Sequence, residues 1–552
     1  MSYLPFGDDV KIPLSALLLA CAPVLAHAAA PVKATITMRD PSALEVSYDI
    51  PPACTALEFR EGDMPPGAMA PMRSDWRAAD DCTALEGGRI VRKQAVCTTL
   101  RLRVPATARD VDRVFPWAYP VEKGLFVHTS NYAVKDTCGA VDWAFAAPGG
   151  TVVVDGVMSA ERGTHAAGPV ADHMPVVLIQ EPVRSMEGRR VHADARFAPQ
   201  TLQLLDATVA GSARQLAHDL PGIPFTVPFI VASPKPVGFR GDVPNRTVMR
   251  LTFQQAPGPA QEADLHRYIP HEMGHLLQPT HWNDAWLGED ESTIHEGGAE
   301  FLRVATTAQL GWLDRAALKD ELEKAVNGCV LAADGKPWKT MRNRGWGQNP
   351  YQCGLAFYAI GLAAAGTDSP LLRLRDYNRK AKQGERTDFA RDIECGGTKD
   401  CNPRWLPRVA GSEPLDAVLS DYARQPGALL RVTDAWSPAL VKVLVFRHVA
   451  QLMQADCGGA VSMYREDAGP RIADGPKCGA LRPDMVVVKA EGLPLFEGGA
   501  AVKASVAACQ ASGKTVLGLR DGTSVTVPCG GGVSLPAHMY AVDEARALAL
   551  LK

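Results

Sequence analysis

Two histidines four residues apart, with a glutamate beside the first, constrain this 552-residue chain more than any other feature: His271-Glu272-Met273-Gly274-His275. A spacing of four puts both imidazoles on one face of an α-helix, whereas on a strand they would stand far apart, so the segment predicts a helix. Two imidazoles on one face can hold one metal ion. Glu272 is then placed to hold a water on that ion and to accept its proton. Five of the thirteen histidines (266, 271, 275, 281 and 295) fall within thirty residues, and such clustering points to a site. Ile269, Met273, Leu276 and Leu277 give the helix a buried side. Pro270 fits only as a first-turn residue or as a kink. The plain alternative is a surface helix whose histidines and glutamate are merely solvated.

A catalytic zinc needs a third protein ligand and an open position. Downstream lies Ile294-His295-Glu296-Gly297-Gly298-Ala299-Glu300, which predicts a second helix running through Leu310. The twenty residues between His275 and Glu296 are enough to end one helix, turn and lay the second alongside. The expected metal site is therefore one zinc per chain on His271, His275 and Glu296. A competing role for Glu296 is a capping box with Thr293, which would direct its carboxylate to backbone amides. Glu300, one turn beyond Glu296, can orient a ligand histidine from behind, or it is a solvated helix carboxylate. Glu289, Asp290 and Glu291 are rival donors, although acidic runs are usually solvated loops.

His271-Glu272-x-x-His275 followed by Glu296-Gly297-x-Ala299 resembles the gluzincin metallopeptidases, in which a glutamate on a second helix completes the zinc site. Asn349-Pro350-Tyr351-Gln352-Cys353-Gly354 is similar to the P-Y-x-x-G segment of the alanyl aminopeptidase and leukotriene A hydrolase families. That resemblance implies that Tyr351 hydrogen-bonds the tetrahedral oxyanion, a role suited to a phenol; otherwise Tyr351 is a core tyrosine heading a buried helix. The order of parts resembles the glycyl aminopeptidase-like family: a β domain, a gluzincin core, a helical domain and a PDZ-like module. The PDZ-like fragments are Arg482 to Val488 with Glu491-Gly492, and Leu519-Arg520-Asp521-Gly522. Two positions depart from the pattern. Gly238 to Asn245 stands where the alanyl aminopeptidase group has G-x-M-E-N, and offers only Asp242 as an acid. Cys353 replaces the basic residue of Y-E-K-G. Both departures bear on amino-terminal trimming and leave zinc hydrolysis untouched.

Short β-like runs broken by Pro, Gly and Asp fill the region from about 32 to 160, among them Ala34 to Thr37, Leu44 to Tyr48, Leu100 to Val104 and Thr151 to Val154. Val176 to Ile179 reads as a buried strand opening the next unit. Pro199 to Leu220 predicts a helix, strands are expected at 226–232 and 247–253, and helices to about 455. The expected fold is multidomain α+β. It comprises a leader (1–28), an N-terminal antiparallel β domain (29–160), a thermolysin-like gluzincin catalytic domain (161–310), a helical domain completing the active site (311–455) and a C-terminal β-rich, PDZ-like domain (456–552).

The leader, with an uncharged stretch from Ile12 to Ala30 and Ala26-His27-Ala28 at its end, reads as an export signal. Two rivals stay open: a lipoprotein signal through Cys21, and an uncleaved anchor of about 19 apolar residues. Twelve further cysteines, an even and dispersed set without any C-x-x-C, suit disulfides in an oxidising compartment, periplasmic or extracellular. Proximity pairs 82–97, 329–353, 395–401, 457–478 and 509–529, leaving 54–138. Lys plus Arg 58 against Asp plus Glu 61 gives a net charge of −3 with no polybasic block, which argues against a nucleic-acid partner. No later segment is long and apolar enough to span a membrane. The expected partner is a peptide or protein substrate. Three activities fit: a zinc peptidase related to aminopeptidases, a thermolysin-like endopeptidase (Glu300 four residues after Glu296 suits that pattern), and an inactive, disulfide-stapled peptide-binding protein.

Overall fold

In the computed structural model the described residues are 31–552, apart from 62–68, 110–113, 160–162, 168–172, 237, 257, 287–290, 342–343, 346, 367–368, 399, 459–462, 467, 474–477, 531–534 and 537. The expected leader and Cys21 lie outside them.

Alternation of apolar and polar residues builds the first sheet. In Val32–Asp40, Val32, Ala34, Ile36 and Met38 are buried while Lys33 faces out, the period of two that a half-buried strand requires. Six strands pair in the order Thr164–Ala167, Val141–Ala146, Val32–Asp40, Ala43–Asp49, Thr99–Pro105, Arg77–Ala78. The sheet is not wholly antiparallel as expected, because Val32–Asp40 and Val141–Ala146 run parallel. A parallel pair needs a long crossover, and the intervening chain supplies it by adding three strands to this sheet, forming a three-stranded sheet and laying down the strands Tyr119–Val121 and Gly124–His128 before it returns.

A second, antiparallel sheet of five strands centres on Pro175–Ile179, which pairs with Thr151–Val154 and Gly124–His128. Val176 and Leu178 face the first sheet, while Val177 and Ile179 face Phe229, Val231 and Val248 of a third. Burial on both faces explains its unbroken apolar run. The expected boundary at 160 therefore falls inside this β unit, whose strand pairing continues to Ile179.

The third sheet has the order Val191–Ala193, Phe229–Pro234, Val248–Phe253, Arg240–Asp242, with the first three parallel and the last antiparallel at the edge. Helix α1 (Pro199–Asp219) forms the crossover, burying Leu205, Val209 and Leu216. Four helices follow in the same core: α2 (Pro259–Leu276), α3 (Glu291–Gln309), α4 (Arg315–Ala333) and α5 (Asn349–Ala364). The buried residues of α5 run almost unbroken from Cys353 to Leu362, as its all-round apolar sequence demands. It crosses α3 at a pair of glycines. A Cβ on Gly297 would lie 2.3 Å from the Gly354 Cα, so neither position admits a side chain.

Helix α6 (Pro438–Cys457) straddles the boundary expected at 455. Its Leu444, Val445 and Leu452 share a core with Val487, Leu517, Val527 and with helix α7 (Ala500–Ser512). The last segment turns back to the helical core: Met539–Val542 pairs with Leu430–Thr433, and the Asn327 side chain bonds the Tyr540 backbone twice, at 2.8 Å each. Six disulfides join the five pairs that proximity suggested, 82–97, 329–353, 395–401, 457–478 and 509–529, and the pair left over, 54–138. Among the described residues no helix is long and apolar enough to cross a membrane.

Candidate metal centre

Pro270 sits inside α2, immediately before His271, and is not a first-turn residue. Proline removes one backbone donor and crowds the carbonyl four residues back, which loosens the helix where the histidine turn begins. Ile269, Met273 and Leu277 are fully buried beneath that turn. On its next face Gly274 approaches α3 closely, with a Cβ there only 3.1 Å from the Ala299 Cα. This contact places Glu296, one turn before Ala299, opposite both histidines.

The three side chains converge. His271 Nε2 lies 3.3 Å and His275 Nε2 3.4 Å from Glu296 Oε2, and the ligand atoms of the trio are all within 4.8 Å of one another. The other ring nitrogens are engaged: His271 Nδ1 with Glu300 Oε2 at 2.9 Å, His275 Nδ1 with Gln278 Oε1 at 3.0 Å. A proton on each Nδ1 leaves each Nε2 lone pair directed at the common point, the arrangement of metal-binding histidines held from behind. Two imidazole nitrogens and one carboxylate oxygen form a zinc donor set with a position to spare. The residues fit the ion.

Electrostatics follow the same geometry. Burial alone would depress the His271 pKa, but its bonds to Glu296 and Glu300 overcome that and raise it to about 9. Burial would raise Glu296, and the two histidines outweigh it and hold the carboxyl well below its usual range. Glu300, buried and thereby pushed upward, is nevertheless held low, chiefly by Arg303. Arg303 Nη2 donates to Glu300 at 2.5 Å and to Glu321 at 2.7 Å, so His271 is backed by a chain of charges.

Tyr351 stands in the first turn of α5, half-buried, its ring 5.4 Å from that of His271 and close enough to Glu296 to feel its charge. Burial, then the charges of Glu296 and Glu272, push its pKa upward and keep the phenol protonated. Cys353, the position that departs from the family pattern, is bonded to Cys329 and ties the start of α5 to α4. Glu272 is half-buried.

The capping box is overturned: α3 begins at Glu291, so Thr293 and Glu296 lie within the helix. Glu289 and Asp290 lie outside the described residues, and the Glu291 carboxylate accepts the Trp282 amide at 3.0 Å. Of the other clustered histidines, His295 stacks on His275 with centroids 4.2 Å apart, and burial followed by the neighbouring His275 lowers its pKa to about 3. His266 packs on Trp312 and His281 is exposed. Asp242 is committed to Arg250, whose Nε donates to it at 2.8 Å, and Arg250 is only 1% exposed.

Sequence reasoning missed Gln278, Arg303 and Arg246. Helical spacing carried a signal for two of them: Gln278 is three residues after His275 and Arg303 three after Glu300. Arg246 had none. It reaches across from the sheet to the end of α2, donating to the carbonyls of His275 at 3.2 Å and Pro279 at 3.1 Å, where a cation suits the helix dipole.

No protein-family model and no curated protein matches the chain. Among solved structures, an aminopeptidase N family protein from Idiomarina loihiensis shares the fold: 11% identity, 94% of this chain and all of the other covered, TM-score 0.51. An M1 zinc metallopeptidase variant from Deinococcus radiodurans (12% identity, 72% and 95% covered, TM-score 0.33) and yeast LTA4 hydrolase (12%, 77% and 72%, TM-score 0.37) also align. These two likenesses are too low to carry an argument. The fold is thus a multidomain α+β architecture with a β-rich N-terminal region and a helical region, as in the Idiomarina protein.

Proposed function

We propose that the chain is a zinc-dependent peptidase acting on peptide or protein substrates. His271, His275 and Glu296 hold one zinc per chain, Glu300 orients His271, Glu272 is the general base, and Tyr351 donates to the oxyanion. The observation that carries this reading is the convergence of two Nε2 atoms on Glu296 while both Nδ1 atoms are engaged behind them. When bound, zinc polarises the scissile carbonyl and acidifies water. Glu272, beside but outside the ligand set, takes the proton of the attacking water and passes it to the departing amine. Tyr351, kept protonated, donates to the charge that develops on the carbonyl oxygen.

The fold shared with an aminopeptidase N family protein suggests amino-terminal trimming. A second reading, cleavage of internal bonds as in thermolysin-like endopeptidases, is favoured by Asp242: a substrate ammonium needs a free carboxylate, and Arg250 occupies this one. The four-stranded antiparallel C-terminal sheet with α7 between two of its strands supports a PDZ-like module. Six disulfides support export to an oxidising compartment, periplasmic or secreted. An inert peptide-binding protein would have no use for the complete set of His271, Glu272, His275, Glu296 and Tyr351.

Metal analysis joined to peptide digestion tests the proposal. One zinc per chain is expected, with hydrolysis of a mixed peptide library that stops on chelation and returns with zinc. A zinc-loaded protein that cleaves nothing would support the binding-protein reading instead.

A further inference from the structure

His295 is neither ligand nor base, yet it stands immediately before Glu296 and its ring lies almost flat on that of His275. The centroids are 4.2 Å apart and the planes 18° from parallel. Arg246 Nη2 approaches His295 Nε2 at 3.4 Å, and because a guanidinium has only donors, that nitrogen accepts. Nη1 of the same guanidinium donates to the carbonyls of His275 at 3.2 Å, Gln278 at 3.4 Å and Pro279 at 3.1 Å. One side chain thus grips both the stacked ring and the end of the metal-binding helix. The His295 carbonyl accepts from Gln278 Nε2 at 2.9 Å, and the Oε1 of that amide meets His275 Nδ1 at 3.0 Å. The contacts close around His275: Gln278 holds its edge, His295 its face and Arg246 its backbone.

The turn that delivers Arg246 is itself constrained. Asn245 and Arg246 both have positive φ, 55° and 61°, a conformation that is rare for arginine. Such a conformation persists where its surroundings over-determine it. Here Asn245 Nδ2 donates to the His173 carbonyl at 2.6 Å, and Thr247 Oγ1 donates to Asp155 at 2.5 Å. The turn is therefore fixed on both flanks to the chain around the second sheet.

We propose that His295, pinned by Arg246, is a positioning residue for the ligand His275: its ring is the wall that stops His275 from turning about its Cβ–Cγ bond, and so keeps Nε2 directed at the point shared with Glu296. This rests on the reading of the site as a zinc centre. A single hydrogen bond at Nδ1 fixes one atom of the imidazole and lets the ring pivot there. A second contact, on the face, removes that freedom. A ligand held in its binding orientation pays no ordering cost when the ion arrives, so the wall strengthens metal binding.

The test compares full-length wild type, His295→Ala, His295→Phe and Arg246→Met. It measures zinc affinity by chelator competition, the melting temperature of the zinc-free protein and the visible spectrum with cobalt in place of zinc. His295→Ala removes the wall and leaves the carbonyl that Gln278 uses. Zinc affinity should fall roughly 10- to 100-fold, the range for a lost outer partner, and the cobalt spectrum should change. His295→Phe restores a flat wall and should recover most of that affinity, while Arg246→Met should fall between the two. A role in stability alone predicts a lower melting temperature with zinc affinity and cobalt spectrum unchanged. That result in folded His295→Ala protein overturns the proposal, as does an equal loss in His295→Ala and His295→Phe. Should His295→Ala not fold, wild-type affinity in Arg246→Met overturns it. A wild-type protein that takes up no zinc rejects the zinc reading instead. Crystal structures of the wild-type and Arg246→Met proteins then decide the positioning role: one His275 orientation is expected in the first and more than one in the second, and the same single orientation in both overturns it.

Discussion

The two histidines of the cradle are held from behind by opposite chemistry. Behind His271 stands a charged relay: Glu300 at 2.9 Å, then Arg303, then Glu321, all buried or nearly so. Behind His275 stands a neutral amide, Gln278, at 3.0 Å, whose Nε2 donates to the His295 carbonyl at 2.9 Å. Gly298 is the opening that admits this amide, since a Cβ there would meet Gln278 Nε2 at 2.3 Å. An anionic partner raises the basicity of an imidazole, and an amide only orients it. The comparison teaches that one ligand is tuned and the other is aimed. It also explains how a buried arginine survives at the site: Arg303 is satisfied by two carboxylates.

Loss of a ligand should exceed loss of either support. Glu296→Gln keeps the size but removes the anionic donor, and zinc affinity should fall by more than the roughly 10- to 100-fold typical of a lost outer partner. Competition with a calibrated chelator measures it, and unchanged affinity would assign the third ligand elsewhere. Next comes the charged side. Glu300→Gln should cost zinc affinity roughly 10- to 100-fold, and because it also leaves buried Arg303 with only one of its two carboxylates it should lower the melting temperature. The neutral side should lose less: Gln278→Ala is expected near the lower end of that range, about 10-fold. Equal losses at Glu300 and Gln278 would erase the distinction between tuning and aiming. Smallest for the metal is the Cys329–Cys353 link, which holds Tyr351's helix but no ligand. Replacing both cysteines by alanine should leave zinc affinity in place while lowering stability by about 3 kcal/mol, as expected for a loop of this size; denaturant melts check this.

Local spacing made the centre of this site legible. His271, His275 and Glu272 follow from helix periodicity, and Glu296 and Glu300 from the next helix and the resemblance its motif carries. Five of the six disulfide pairs followed from nearness in sequence, and 54–138, with 84 residues between its cysteines, only as the pair left over. What spacing could not show is what lies across from a helix. Arg246 reaches α2 from a loop beside the third sheet, and Asp242 meets Arg250 only because their strands pair antiparallel. The parallel pairing of Val32–Asp40 with Val141–Ala146 is equally nonlocal: each strand has ordinary alternation, and nothing in alternation reports direction. The boundaries expected at 160 and 455 fall within a β unit and a helix for a related reason. Pro175–Ile179 and α6 owe their apolar residues to neighbours on both sides, so composition changes there without marking where one core ends.

The role of Glu272 is the most direct test of the central claim, because it separates holding the metal from using it. Glu272→Gln keeps the side chain's size but cannot accept a proton. Zinc content and turnover should be measured on the same sample of purified, full-length variant. The expected result is one zinc per chain at wild-type affinity, with peptide turnover reduced by roughly 10²- to 10⁴-fold, the contribution of a general base. A folded, zinc-loaded Glu272→Gln protein that cleaves peptides at the wild-type rate would contradict it.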